Sequence, residues 1–102
     1  GCAKATATLM SQQGINSSDI DLFELHEAFA ATSIKCQLTL GIGDEKLNVN
    51  GGCIALGHPM GATGGIMMGT LLDELERRKS TTGIVAASGA AGSGTAILIQ
   101  CV

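Results

Sequence analysis

Residues 48 to 64, N-V-N-G-G-C-I-A-L-G-H-P-M-G-A-T-G, set one histidine among five glycines, Gly51, Gly52, Gly57, Gly61 and Gly64. Glycine carries no Cβ, so a run of this kind belongs where a ligand or a neighbouring backbone approaches the chain closely. Any fold open to this sequence must therefore press the segment against something. His58, with Pro59 behind it, is placed to open a helix. An imidazole titrates near neutrality and can move protons, which makes His58 a candidate for proton transfer. The plainer alternative is a histidine that steadies a tight turn.

The rest of the composition suits close packing. Of 102 residues 45% are hydrophobic, yet the aromatics are two Phe with no Trp or Tyr, against 15 glycines and one proline. A single domain with a core is expected, its layers meeting through Ala, Gly, Leu and Ile as a helix-covered sheet would. Six basic and nine acidic residues give a net charge of -3. The basic cluster Arg77-Arg78-Lys79 falls where it closes a helix and complements its dipole, so a nucleic-acid partner is not expected. No apolar run reaches the roughly 20 residues that span a bilayer, and no charged-then-apolar leader opens the sequence. A protein without a membrane span, cytoplasmic by default, is the expectation. Cys2, Cys36, Cys53 and Cys101 show no C-x-x-C spacing, and no histidine lies within four residues of a cysteine or of the other histidine. Small buried hydrophobes are their expected role, with no metal site and no disulfide framework.

Residues 3 to 13 read as an alanine-rich helix ended by Gly14, with a turn at Asn16-Ser17-Ser18-Asp19. Ile20, Leu22, Phe23 and Leu25 make a strand that closes at His26. Strand ends of α/β sheets often carry catalytic side chains, although His26 could equally cap its strand through a backbone carbonyl. The spacing of Ala28, Ala31, Ile34 and Leu38 predicts a helix over 27 to 40 with that face buried, broken at Gly41-Ile42-Gly43-Asp44. Lys46 to Val49 is a short strand or an extended lead into the glycine-rich loop. A second long helix is expected over 59 to 79, with the apolar stripe Met67, Met68, Leu71, Leu72 and Leu75. Its solvated face would pair Asp73 with Arg77 and Glu74 with Arg78. Ile84 to Ala87, a turn from Ser88 and a run from Thr95 to Val102 form a closing hairpin. This order implies an α/β layered sheet with right-handed crossovers. A start in a helix with no strand before it reads as part of a larger unit.

Three segments together resemble the C-terminal half of the thiolases, enzymes that make or cleave 3-ketoacyl-CoA thioesters. D-I-D-L-F-E-L-H-E-A-F-A at residues 19 to 30 is similar to the family's N-E-A-F or H-E-A-F motif at a strand end. G-G-C-I-A-L-G-H-P-M-G-A-T-G at residues 51 to 64 resembles its active-site histidine motif almost residue for residue. S-G-A-A-G-S-G at residues 88 to 94 takes the place of C-x-G-G-G-x-G. The resemblance covers nearly the whole chain. It implies a thiolase-like layered α/β/α fold with a mixed sheet, residues 1 to 102 being a C-terminal domain portion without its N-terminal domain.

By that resemblance His58 is the base that draws the proton from a nucleophilic cysteine outside this chain. A neutral imidazole raises the thiolate fraction, and the thiolate is what attacks an acyl group. The resemblance also has His26 help hold a water that donates to the thioester oxygen, while Ala28 and Phe29 line the pantetheine tunnel. Preorganised donors of this kind are worth ~3 kcal/mol each. The backbone N–H of Ala90, where the family has Gly, supplies a second oxyanion hole provided that φ there is not positive. Ser88 stands where the family has the cysteine that acts as acid and base. A hydroxyl has a far higher pKa than the ~8.5 of a thiol, which puts condensation and thiolysis in question. As a plainer role, Ser88 ends its strand by bonding to the turn backbone. Coenzyme A as substrate, acyl-CoA thioesters as partners, no bound cofactor and a homo-oligomeric parent are implied as well. Three readings stay open: a thiolase whose isolated fragment is inactive, a thiolase-like enzyme with a reaction altered through Ser88, and a non-catalytic interaction module.

Overall fold

Side chains alternate across a strand, and two strands here use that alternation to build two apolar layers. In a computed structural model describing residues 1 to 102, β1 (Leu22–Leu25) turns Phe23 and Leu25 to one side of a sheet and Leu22 to the other. The next strand, β2 (Thr82–Ser88), divides Ile84 and Ala86 from Val85 in the same way. With β3 (Gly94–Gln100) they form a three-stranded sheet in the order β1-β2-β3, the first pair parallel and the second antiparallel. The parallel pair requires a crossover, and everything between Leu25 and Thr82 supplies it.

The helices α1 (Cys2–Gln13) and α2 (Ala30–Leu40) cover the first face, bringing Cys2, Met10, Cys36 and Leu40 onto Phe23, Leu25, Ile84 and Ala86. The second face belongs to α4 (Thr63–Arg78), whose Met67, Leu71 and Leu75 pack on Leu22 and Val85. Between them lies the short α3 (Cys53–Leu56). This is the expected α/β/α layering with a mixed sheet. Gly83 in β2 lets α4 come close, since a Cβ there would run into the Leu71 side chain. No helix is long and apolar enough to cross a membrane.

Several expectations change. The second helix begins at Ala30, not 27, and the stripe expected to be buried is exposed: Ile34 is 57% and Leu38 78% accessible, with Ala28 and Ala31 exposed too. The buried residues are Cys36 and Leu40. Two positions along a helix turn it by about 200°, so Ile34 and Leu38 point away from the side that Cys36 presents to the core. The long helix starts at Thr63, not Pro59; the carbonyl of Pro59 accepts from the N–H of Ala62 and Thr63 in a turn that precedes it. Gly61 resists helix formation, and with the turn closed on Pro59 the start moves more than a turn past His58. Glu74 is not on a solvated face. It is 2% exposed and takes Arg77, Arg78 and Asn50, whereas the expected Asp73–Arg77 pair is absent. Lys46 to Val49 contributes a single bridge, Leu47 opposite Phe23, after a 3-10 turn at Asp44–Lys46.

Candidate active site

The parallel ladder runs one residue beyond β1, because the N–H of His26 donates to the carbonyl of Ala86 at 2.9 Å. That bond holds His26 level with the end of β2, where Ser88 begins the turn to β3. The glycine-rich loop is then brought to the same edge by four anchors. Asn48 Oδ1 accepts from the N–H of Leu25 at 2.8 Å while its Nδ2 donates to the Leu25 carbonyl at 2.9 Å, so one amide completes the open edge of β1. Asn48 sits at φ 45, a region asparagine tolerates better than most residues. Asn50 Nδ2 donates to Glu74 Oε2 at 3.2 Å and ties the loop to α4. Glu27 Oε1 accepts from the N–H of Ile54 at 3.2 Å, binding the first turn of α3 to the residue after His26. A Cβ on Gly52 would run into that carboxyl group, so glycine is what lets the loop lie against it.

Beyond α3 the chain turns at Gly57, φ 97, and delivers His58 beside His26 with ring centroids 4.5 Å apart and planes tilted by 38°. The tautomer of His58 follows from its neighbour. His58 Nδ1 lies 2.7 Å from Thr63 Oγ1, and that hydroxyl is placed to give its single proton to the Pro59 carbonyl at 3.2 Å. Thr63 can then only accept from Nδ1–H, which leaves Nε2 of His58 with its lone pair. This is the arrangement a general base needs.

His26 is 7% exposed. Burial first and the neighbouring His58 second hold its pKa below the usual imidazole range, so the ring is neutral at pH 7. Its Nδ1 lies 3.4 Å from Ser88 Oγ, and its Nε2 is enclosed with no hydrogen-bond partner. A cleft of about 490 Å³ opens over the pair, lined by His26, Ala28, His58, Met60, Thr63, Ser88 and Ala90 among others. Five of the six expected site residues thus meet in one place. Phe29 does not: it precedes α2, is 73% exposed and lies outside the cleft lining. The positive φ in the β2–β3 turn falls at Ala91, φ 56, and not at Ala90.

The family model for the thiolase C-terminal domain matches residues 1 to 101. The chain belongs to that family. This thiolase domain is 42% identical over 102 residues to 3-ketoacyl-CoA thiolase 1, peroxisomal, of Arabidopsis thaliana, the match covering 98% of the chain and 23% of the relative. It is 43% identical over 100 residues to the cytosolic acetyl-CoA acetyltransferase of Mus musculus, covering 98% of the chain and 25% of that protein. With the acetyl-CoA acetyltransferase of Synechocystis it shares 44% identity over 96 residues, which is 94% of the chain and 24% of the relative. The domain spans about a quarter of the length of these curated relatives.

Sequence reasoning missed four residues of the thiolase domain's site. Thr63, which sets the tautomer of His58, sits within the G-A-T-G of the motif itself, and a hydroxyl five residues after a candidate base was the available signal. Glu27 and Asn48 act through contacts to Ile54 and Leu25, 27 and 23 residues away, and nothing local reveals them. Cys53 was expected to be an inert hydrophobe. It is half-buried, with its Sγ beside both histidines.

Proposed function

We propose that this thiolase domain supplies the base and the oxyanion-stabilising face of a site that makes or cleaves 3-ketoacyl-CoA, with the nucleophilic cysteine coming from outside the chain. The observation that carries the reading is His58, oriented by Thr63 so that a lone pair on Nε2 faces a cleft shared with His26, Ser88 and Ala90. In the acyl-transfer half reaction the thiol proton passes to Nε2 of His58, the sulfur bonds to the thioester carbonyl carbon, and coenzyme A leaves as its thiol after taking that proton back. Charge develops on the carbonyl oxygen, and a water held by neutral His26, with the Ala90 N–H for the second acyl group, offers donors to it. Ala90 lies at negative φ, so alanine in place of glycine keeps that donor without backbone strain.

A second reading is favoured by Ser88. Its hydroxyl faces Nδ1 of a neutral His26 at 3.4 Å, an acid-base pair different from the thiol expected at this position. That pairing supports an altered acyl transfer or retro-aldol cleavage in the same cleft. Acyl-CoA thioesters as substrates, coenzyme A as co-substrate, a cytoplasmic location and a homo-oligomeric parent complete the proposal; the relatives include both peroxisomal and cytosolic proteins by name.

The test is acetoacetyl-CoA thiolysis by the polypeptide that carries this domain. His58→Ala is expected to lower kcat by about 10² to 10⁴, the usual worth of a general base. Unchanged turnover in that variant overturns the assignment. Ser88→Cys separates the two readings: a gain in thiolysis means the hydroxyl had altered the reaction, and equal rates mean that Ser88 serves ordinary thiolase chemistry.

A further inference from the structure

Cys53 has no part in the chemistry above, yet its Sγ and one nitrogen from each of His26 and His58 lie within 4.8 Å of one another. Two independent features suit this trio to an ion. Nε2 of His26 is enclosed and unpartnered in a side chain 7% exposed, and a buried polar atom without a partner is costly to the fold. His58 already gives its Nδ1–H to a fixed hydroxyl oxygen, the kind of outer bond that orients a metal-ligating imidazole and leaves Nε2 to ligate. We propose that His26, Cys53 and His58 form a three-ligand site for a divalent cation of the zinc class.

Imidazole nitrogen and thiolate sulfur are the ligands zinc prefers, and three protein ligands leave one tetrahedral position for water or another group. Zinc bond lengths of roughly 2.0 to 2.3 Å put neighbouring donors about 3.3 to 3.8 Å apart, so the trio closes by roughly 1 Å on binding. Exposed His58, and Cys53 at the first residue of the four-residue α3, can make that adjustment by side-chain rotation. The ion takes the Cys53 sulfur as thiolate, and the displaced thiol proton goes to solvent. Both imidazoles bind in the neutral form. Where His58 is the base of the reaction, an ion on its Nε2 blocks that role, so zinc becomes an inhibitor. This consequence rests on the proposed function, whereas the binding does not.

The probes are Zn²⁺ and, for its spectrum, Co²⁺ added to the full-length protein. The expected result is one cobalt per chain with a near-ultraviolet thiolate-to-cobalt charge-transfer band, displaced by zinc. Cys53→Ser should lose that band and bind zinc at least about tenfold more weakly. It should also escape zinc inhibition, read as the ratio of its own rates with and without the ion. Without any substitution, zinc should protect Cys53 from iodoacetamide, read by mass spectrometry of the peptide. A cobalt complex lacking the thiolate band, Cys53→Ser with unchanged zinc affinity, or alkylation of Cys53 unaffected by zinc each overturns the site. A protein that binds cobalt as described but shows no thiolysis instead counts against the proposed function alone.

Discussion

Glu24 shows how one residue on a buried strand sets the pH response. Its carboxyl is 3% exposed on β1, and burial first and Glu27 second push its pKa from 4.5 up to about 7. A carboxyl with a raised folded pKa contributes stability that is complete below about 4.5 and is lost as pH rises through about 7. The loss is of order 3 kcal/mol across that window, since each pKa unit is worth about 1.4 kcal/mol. Glu24→Gln is therefore expected to be more stable than the parent at pH 8 and similar at pH 4.5, measured by urea unfolding at both. An unchanged difference between the two pH values would count against the assignment. His26 acts in the opposite sense: its lowered pKa makes the folded state lose stability as pH falls below the usual imidazole range, so the Glu24→Gln profile should still decline on acidification.

At the scale of elements, two turns carry the site and each contains a residue at positive φ. In the loop before α3, Asn48 makes both amide bonds to Leu25 while sitting at φ 45. Asn48→Ala removes both bonds and keeps an unfavourable backbone, a combined loss of about 2 to 3 kcal/mol. Asn48→Gly relaxes the backbone but not the edge of β1, so its loss should be smaller, and urea midpoints of the two variants test the order. In the β2–β3 turn Ala91 adopts φ 56 directly before Gly92 at φ 77. A left-handed alanine costs about 1 to 2 kcal/mol, part of which glycine returns as unfolded-chain entropy. Ala91→Gly should raise Tm, corresponding to about 1 kcal/mol. A lower Tm would mean that the turn does not hold this conformation in solution.

The molecule as a whole leaves a large apolar surface on the side of α2 away from the sheet. Phe29 at 73%, Ile34 at 57% and Leu38 at 78% exposed make up most of it. Leu38→Lys is expected to change folding stability by less than about 0.5 kcal/mol while reducing self-association of the chain in sedimentation velocity. A large loss of stability would show that Leu38 is buried after all. Much of this architecture was legible beforehand. The apolar runs of β1 and β2, the stops at Gly14 and Gly41, the hairpin and the family motifs are local patterns, and local patterns survive without knowledge of the rest of the chain. The face of α2 was not legible, because a 3.6-residue period identifies an apolar stripe without naming what it meets. What the sequence determined by itself was the family, the layered fold and the two histidines, each written in contiguous residues. Only the tertiary structure decided which nitrogen of His58 is free, that Ser88 faces His26, and that Cys53 joins both rings. Ser88 and Cys53 reach His26 across 62 and 27 positions, and the sequence places a hydroxyl five residues after His58 without saying which ring nitrogen it meets.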